Sequence, residues 1–249
     1  MNSAIKYFLI GLVQGLTEFL PVSSSGHIVL FGSLFKLDNL LILSIVAHLG
    51  TLFAVIYCYR KRLFNLIRHP FNKTNLNLII ATIPTVLIVL IFNKFFENSF
   101  STSSTIWGFL ISAVLLFIAD FKACGNKHFT KKSSFIMGVA QGLAVLPGIS
   151  RSGTTLVTGL FLGVDKNEAL DFSFLMSIPI IIASAVYEGI DLIKNPVTVN
   201  WVGMIIVFVA SFVFGILSIK LMLKVVKKNR LFYFSFYLIF LSLLTLLFV

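Results

Sequence analysis

Charge is what this sequence has least of. Asp, Glu, Lys and Arg together make up 12% of the 249 residues, about half of the ~25% usual in soluble domains. Only nine residues are acidic. A globule of this size would lack polar cover, which excludes a soluble enzyme, a disordered tail and a coiled coil. Cysteine is scarce as well. Cys58 and Cys124 are the only two, and they lack any metal-ligand spacing. They read as free thiols near a membrane edge. A cleavable leader is not expected either: the first apolar stretch carries one lysine, Lys6, and runs into a polar motif, not a small-residue cleavage site.

What the chain does have is apolar length. Hydrophobic residues make up 58%, Phe alone occurs 27 times, and mean hydropathy is +1.00. Six apolar segments, 39–59, 76–96, 105–121, 168–190, 201–219 and 231–248, match the ~20 residues that cross the ~30 Å hydrocarbon core. The net charge of +11 gathers in three stretches, 60–75, 122–133 and 220–230, whereas 97–104 has no Lys or Arg and 191–200 has only Lys194. That alternation is a positive-inside pattern, not a nucleic-acid-binding face. The expectation is an all-α polytopic membrane protein.

Two further apolar regions are interrupted. Residues 3–20 meet Pro21-Val-Ser-Ser-Ser-Gly-His27, and only 28–35 follow before Lys36 and Asp38. Residues 134–146 meet Pro147-Gly-Ile-Ser-Arg-Ser-Gly153, and 154–163 follow. Eight helical residues rise only ~12 Å, so each region reads as a helix–break–helix hairpin that enters and leaves on one side. A full span over 3–20 would instead put the N-terminus in the cytoplasm.

The hairpins resemble each other. Gly11, Gln14, Gly15 and Leu16 match Gly138, Gln141, Gly142 and Leu143 at one constant offset, and Ser23, Ser25 and Gly26 match Ser150, Ser152 and Gly153 at the same offset. Three spans follow each hairpin, an odd number, so the second copy begins on the opposite side. The expected architecture is one transmembrane domain, 1–249, built as an inverted-topology repeat: about 1–121 and about 134–249. Each half is a re-entrant helix pair plus three spans, both termini lie outside the cytoplasm, and a binding site sits where the hairpins meet. The Gly11/Gly15 and Gly138/Gly142 pairs suit close helix contact.

Glu18 lies deep in the first hairpin, four residues after Gln14 and on the same helix face. A carboxylate at membrane depth costs roughly 2.5–3.5 kcal/mol on insertion scales, so something must compensate; it either caps the break or does chemistry. Arg151 is the only arginine outside the basic stretches. It is either a counter-ion for Glu18 or an anion clamp, since guanidinium presents a planar fork suited to phosphate oxygens. Ser150, Ser152, Thr154 and Thr155 add hydroxyls, and the following half-helix adds its N-terminal N–H groups. Ser23, Ser24 and Ser25 offer nucleophiles, and His27 can move protons near neutral pH. His48 is the kind of lone membrane histidine that often serves packing.

Gln14-Gly-Leu-Thr-Glu18-Phe-Leu-Pro-Val-Ser-Ser-Ser-Gly-His27 resembles the first signature of the undecaprenyl-diphosphate phosphatase family, the bacitracin-resistance phosphatases. Pro147-Gly-Ile-Ser-Arg-Ser-Gly-Thr-Thr155 resembles the second, and the likeness extends through Phe172-Ser-Phe-Leu and Pro179. The resemblance implies a bacterial plasma-membrane enzyme that hydrolyses undecaprenyl diphosphate to the monophosphate and inorganic phosphate, recycling the carrier of cell-wall polymers. It implies Mg²⁺ or Ca²⁺ as a divalent cofactor, with Glu18 helping to bind the ion or orienting His27. Its partners are then a prenyl diphosphate lipid and the bilayer. In this reading Ser24, or else Ser23 or Ser25, attacks, with direct attack by water the alternative; His27 moves the proton, and Arg151 holds the diphosphate with Ser150, Ser152 and Thr155. Gln14, Ser23 and Ser25 assist binding. Gln14 stands where many members have Glu, and His48 where Gln is expected.

Two other functions share parts of this pattern. The type-2 phosphatidic acid phosphatases also carry Ser-Gly-His, but they need a histidine where this chain has Val157. A prenyl-phosphate flippase would use the same inverted repeat and phosphate cradle, alone or as a second activity, but has no use for a nucleophile and proton-transfer set.

Overall fold

A computed structural model describes residues 3–35, 40–99, 101–121, 125–194, 200–228 and 230–247. Lys36, Asp38, Lys122 and Cys124 lie outside the described residues. The described residues form eleven helices: α1 Ser3–Phe19, α2 Ser24–Phe35, α3 Leu40–Arg68, α4 Lys73–Ile91, α5 Asn93–Asn98, α6 Thr102–Asp120, α7 Lys131–Leu143, α8 Arg151–Phe161, α9 Lys166–Lys194, α10 Trp201–Lys227 and α11 Phe232–Leu246. The described residues form no strand, only an isolated bridge between Lys127 and Val164. Helix is what lipid imposes, because every backbone polar group must find its partner within the segment.

α3, α4, α6, α9 and α10 are long and apolar enough to cross a membrane, and α11 is a shorter apolar helix. All six expected spans therefore coincide with helices. Their ends differ from expectation. α3 runs on through Arg60, Lys61 and Arg62 to Arg68, and α10 runs through Lys220 and Lys224 to Lys227, so two of the basic stretches are mostly helix rather than loop. Lys and Arg are good helix formers and suit the negative end of the helix dipole, which lets a span continue past the hydrocarbon.

The packing crosses between the two halves of the chain. α1 lies against α10, α7 against α4, α6 against α11, and α3 against both α9 and α10. Small residues permit the first two contacts. A Cβ at Gly11 would sit 2.5 Å from the Val207 carbonyl oxygen, and one at Gly138 would sit 2.0 Å from that of Ala81. Buried hydroxyls tie the same seams: Ser218 Oγ donates to the Gly15 carbonyl at 2.9 Å, and Thr85 Oγ1 to that of Gly138 at 2.8 Å. Apolar side chains such as Phe53, Leu90, Trp107, Ile205 and Phe240 point outward, the arrangement of a protein dissolved in lipid.

Candidate active site

The two interrupted regions are helix pairs whose breaks are shorter than the motifs suggest. The first break covers only Leu20 to Ser23, so Ser24, Ser25, Gly26 and His27 form the first turn of α2. The second ends at Ser150, so Arg151, Ser152 and Gly153 open α8. Each motif is thus a helix start, because its serines cap the helix. Ser23 Oγ accepts from the Gly26 N–H at 3.3 Å, and Ser150 Oγ from the Gly153 N–H at 3.1 Å. Gly148 makes the sharp second turn at φ +83, where a Cβ would also meet the Thr105 carbonyl oxygen at 2.2 Å. Ser112 on α6 fixes this turn by accepting from the Ser150 N–H at 2.8 Å.

The tips then meet. Ser152 Oγ donates to the Leu20 carbonyl at 2.9 Å. Glu18, only 5% exposed, faces Arg151, whose Nη2 donates to Oε1. Ser24 Oγ donates to Glu18 Oε2 at 2.6 Å, and Gln14 Nε2 donates to the same oxygen at 2.8 Å. A buried carboxylate is stable only with such partners. Arg151 Nη1 is buried without a hydrogen-bond partner among the described residues, which leaves it ready for an incoming anion.

Of these groups Glu18, Ser24, Arg151 and Ser152 line a cavity of about 140 Å³, and Gln14 does not. Thr17, Glu18, Ser23, Ser24, Ser25, His48, Ser150, Arg151 and Ser152 form its polar wall; Ala144, Val145, Ile149, Ile180 and Ile181 form an apolar one, with Ser184 beside them. A polar end joined to an apolar flank fits a ligand with a charged head and a hydrocarbon tail.

Two more of the expected site residues lie outside this cavity lining. Thr155 does not reach the cavity: its hydroxyl donates to the Arg151 carbonyl at 2.9 Å and lies 2.6 Å from Ser173 Oγ. It braces α8 against α9. His27 does not line the cavity either, because both ring nitrogens are engaged elsewhere, Nδ1 with the Ser23 carbonyl at 2.8 Å and Nε2 with the Tyr237 hydroxyl at 2.6 Å. Glu18 fits a metal-ligand role poorly. Its oxygens already receive a guanidinium, a hydroxyl and an amide, and the described residues contain no group of three or more His, Cys, Asp or Glu that could hold an ion.

Comparison with known proteins agrees with the motifs. Residues 7–244 match the family model described as bacitracin resistance protein BacA. The chain belongs to the BacA family. It is 40% identical over 245 residues to an undecaprenyl-diphosphatase of Carboxydothermus hydrogenoformans, covering 95% of this chain and 94% of that one. It is 38% identical over 239 residues to an undecaprenyl-diphosphatase 4 of Bacillus cereus, covering 94% and 92%. An undecaprenyl-diphosphatase of Borrelia recurrentis is 33% identical over 260 residues, covering 96% of each.

In this BacA-family chain the residue that sequence reasoning set aside is His48. It lines the cavity, with Nε2 at 3.7 Å from Glu18 Oε2. Its Nδ1 lies 2.8 Å from the Ser44 carbonyl oxygen. A carbonyl can only accept, so Nδ1 carries a proton, and Nε2 is the ring nitrogen that faces the Glu18 carboxylate. An ionisable residue inside an apolar span was the available signal.

Proposed function

We propose that this chain is an integral-membrane phosphatase that hydrolyses undecaprenyl diphosphate to undecaprenyl phosphate and inorganic phosphate. The observation that carries the reading is Glu18, held between Arg151 and Ser24 where the two hairpin tips meet. A nucleophilic hydroxyl already donates to a carboxylate, and a guanidinium fork stands opposite. Family membership and the names of the relatives point the same way.

The reaction follows from these positions. The terminal phosphate enters the polar end of the cavity and competes with Glu18 for Arg151, whose planar fork suits phosphate oxygens. Arg151 and the helix-start N–H groups of α8 stabilise the charge on the transferring group. Ser24 Oγ attacks the terminal phosphorus as its proton passes to Glu18 Oε2. The new O–P bond forms, the bridging P–O bond breaks, and undecaprenyl phosphate leaves. Water then attacks the phosphoserine phosphorus, the Oγ–P bond breaks as Glu18 returns its proton to Ser24 Oγ, and inorganic phosphate leaves with the oxygen and protons of that water. The prenyl chain lies against the apolar wall of Val145, Ile149, Ile180 and Ile181.

The reading extends to a divalent cation, Mg²⁺ or Ca²⁺, carried by the diphosphate oxygens, since hard cations prefer oxygen ligands and Mg²⁺ often binds chiefly through substrate phosphates. It also includes the inverted repeat, with both termini outside the cytoplasm and the site facing outward. The reciprocal packing of α1 on α10 and α7 on α4 supports the repeat. No feature of the site favours lipid transport over hydrolysis, and the relatives compared above are named for hydrolysis.

The test is phosphate release in detergent micelles, where there are no two sides to cross. Purified protein with a prenyl diphosphate and Mg²⁺ should release inorganic phosphate, EDTA should suppress it, and Arg151→Ala should abolish it at unchanged folded yield. A folded protein that releases no phosphate with any divalent ion would overturn the reading.

A further inference from the structure

The first hairpin turns on a conformation that serine does not favour. Ser23 has φ +64, in the left-handed region where a Cβ crowds the following carbonyl and which few residues other than glycine adopt. An N-cap residue is usually extended, and Ser150, the equivalent cap of the second hairpin, has φ −76 and ψ 111. Ser23 caps its helix from a strained backbone, and something outside the turn must hold it there.

The holding group is His27. Nδ1 lies 2.8 Å from the Ser23 carbonyl oxygen, closer than the His27 backbone nitrogen at 3.3 Å. Because a carbonyl carries no proton, Nδ1 is the donor. The neutral ring then has its lone pair on Nε2, and the partner at 2.6 Å, the Tyr237 hydroxyl, donates to it. Tyr237 belongs to α11, at the far end of the chain. Its ring lies nearly parallel to the imidazole, centroids 5.8 Å apart at 7°, and Phe109 packs edge-on against the imidazole at 5.9 Å. The ring is 4% exposed and has no nitrogen directed at the cavity.

We infer that His27 and Tyr237 are positioning residues. Tyr237 fixes the tautomer and plane of the His27 ring, and the Nδ1–H of that ring pins the Ser23 carbonyl, so that the next residue, Ser24, keeps its hydroxyl on Glu18. The inference rests on the phosphatase reading and names what its nucleophile depends on. It assigns His27 no proton transfer.

Asparagine separates the two roles of His27, because its Nδ2–H occupies the place of the imidazole Nδ1–H but cannot shuttle a proton. His27→Ala should lower kcat for phosphate release by about 100-fold or more, the scale of a misplaced reacting group. His27→Asn should stay within about tenfold of the native rate, the scale of one hydrogen bond. Tyr237→Phe keeps the neighbouring ring and loses only the donor; kcat should fall about fivefold with KM unchanged. In the His27→Asn background the same Tyr237→Phe change should cost nothing, since its effect passes through the imidazole.

If folded His27→Asn is as inactive as folded His27→Ala, the imidazole itself does chemistry and the inference is wrong. Equal Tyr237→Phe losses in both backgrounds would also overturn it. Should neither His27 variant fold, Tyr237→Phe decides alone: a lower kcat at unchanged KM and yield supports the inference, and an unchanged kcat ends it. A native protein that releases no phosphate fails at the earlier step, the phosphatase reading itself.

Discussion

The two hairpins share a backbone plan and divide the chemistry. α1 and α7 both carry Gly-x-x-Gln-Gly, both pack small faces against a span from the other half of the chain, and both are followed by a serine-capped helix. At matching positions the side chains then part. Glu18 in the first hairpin corresponds to Val145 in the second, Ser24 to Arg151, and His27 to Thr154. The carboxylate and hydroxyl come from one hairpin and the guanidinium from the other. Neither half holds a complete site, and the buried charges neutralise each other only where the tips interlock.

Breaking that division should have the largest effects. Glu18→Gln keeps shape and loses the proton acceptor, and kcat should fall about 10³-fold, within the range of general base catalysis. Arg151→Lys keeps charge and loses the fork; a loss of about 10²- to 10³-fold is expected, the scale of removing one charge-stabilising donor group. Phosphate-release assays on folded, purified variants measure both. Near-native turnover in Arg151→Lys would make the residue a counter-ion for Glu18 and nothing more.

The shared scaffold should break differently, through folding and not turnover. Gly11→Val and Gly138→Val each force a branched side chain into a backbone contact with the opposite half. Overpacking of this kind costs about 1–3 kcal/mol, occasionally more. Thermal unfolding in detergent should shift down for both by similar amounts, while the residual folded protein keeps its kcat. A shift in only one would show that the two seams are not equivalent.

The comparison also explains what the sequence could disclose. Six spans, two hairpins and the GxxxG contacts were legible because lipid turns apolar length and small-residue spacing into structure with few alternatives. Glu18 and Arg151 stood out because charge in an apolar run needs a reason. Helix limits were less visible: Ser24 and Arg151 begin helices, yet in sequence their motifs look like breaks, because serine caps and serine loops have the same composition. His27 and His48 were hidden more deeply. One histidine turns from the cavity because of a tyrosine 210 positions away, and the other faces it because Ser44 holds its Nδ1. Which imidazole meets the carboxylate depends on how α2 and α3 pack against α1.

The smallest expected effect is the sharpest comparison, because it uses one residue type at equivalent places. Gln14 Nε2 donates to Glu18 at 2.8 Å, whereas Gln141 Nε2 turns to Thr85 Oγ1 at 3.3 Å and the Met176 carbonyl at 3.4 Å. Both amide oxygens are buried without a partner among the described residues. Gln14→Ala removes one of the donors to the carboxylate but leaves Arg151 and Ser24 in place, so kcat should fall only a few-fold, the scale of one hydrogen bond to a charged group shared among several. Gln141→Ala touches no group of the site. It should lower the unfolding temperature, by loosening α7 against α4 and α9, and leave kcat unchanged. The two amides hold matching places in the fold, so a kcat loss from Gln141→Ala equal to that from Gln14→Ala would mean that both act through the scaffold. The carboxylate would then owe its reactivity to the packing of the hairpins and not to the amide beside it.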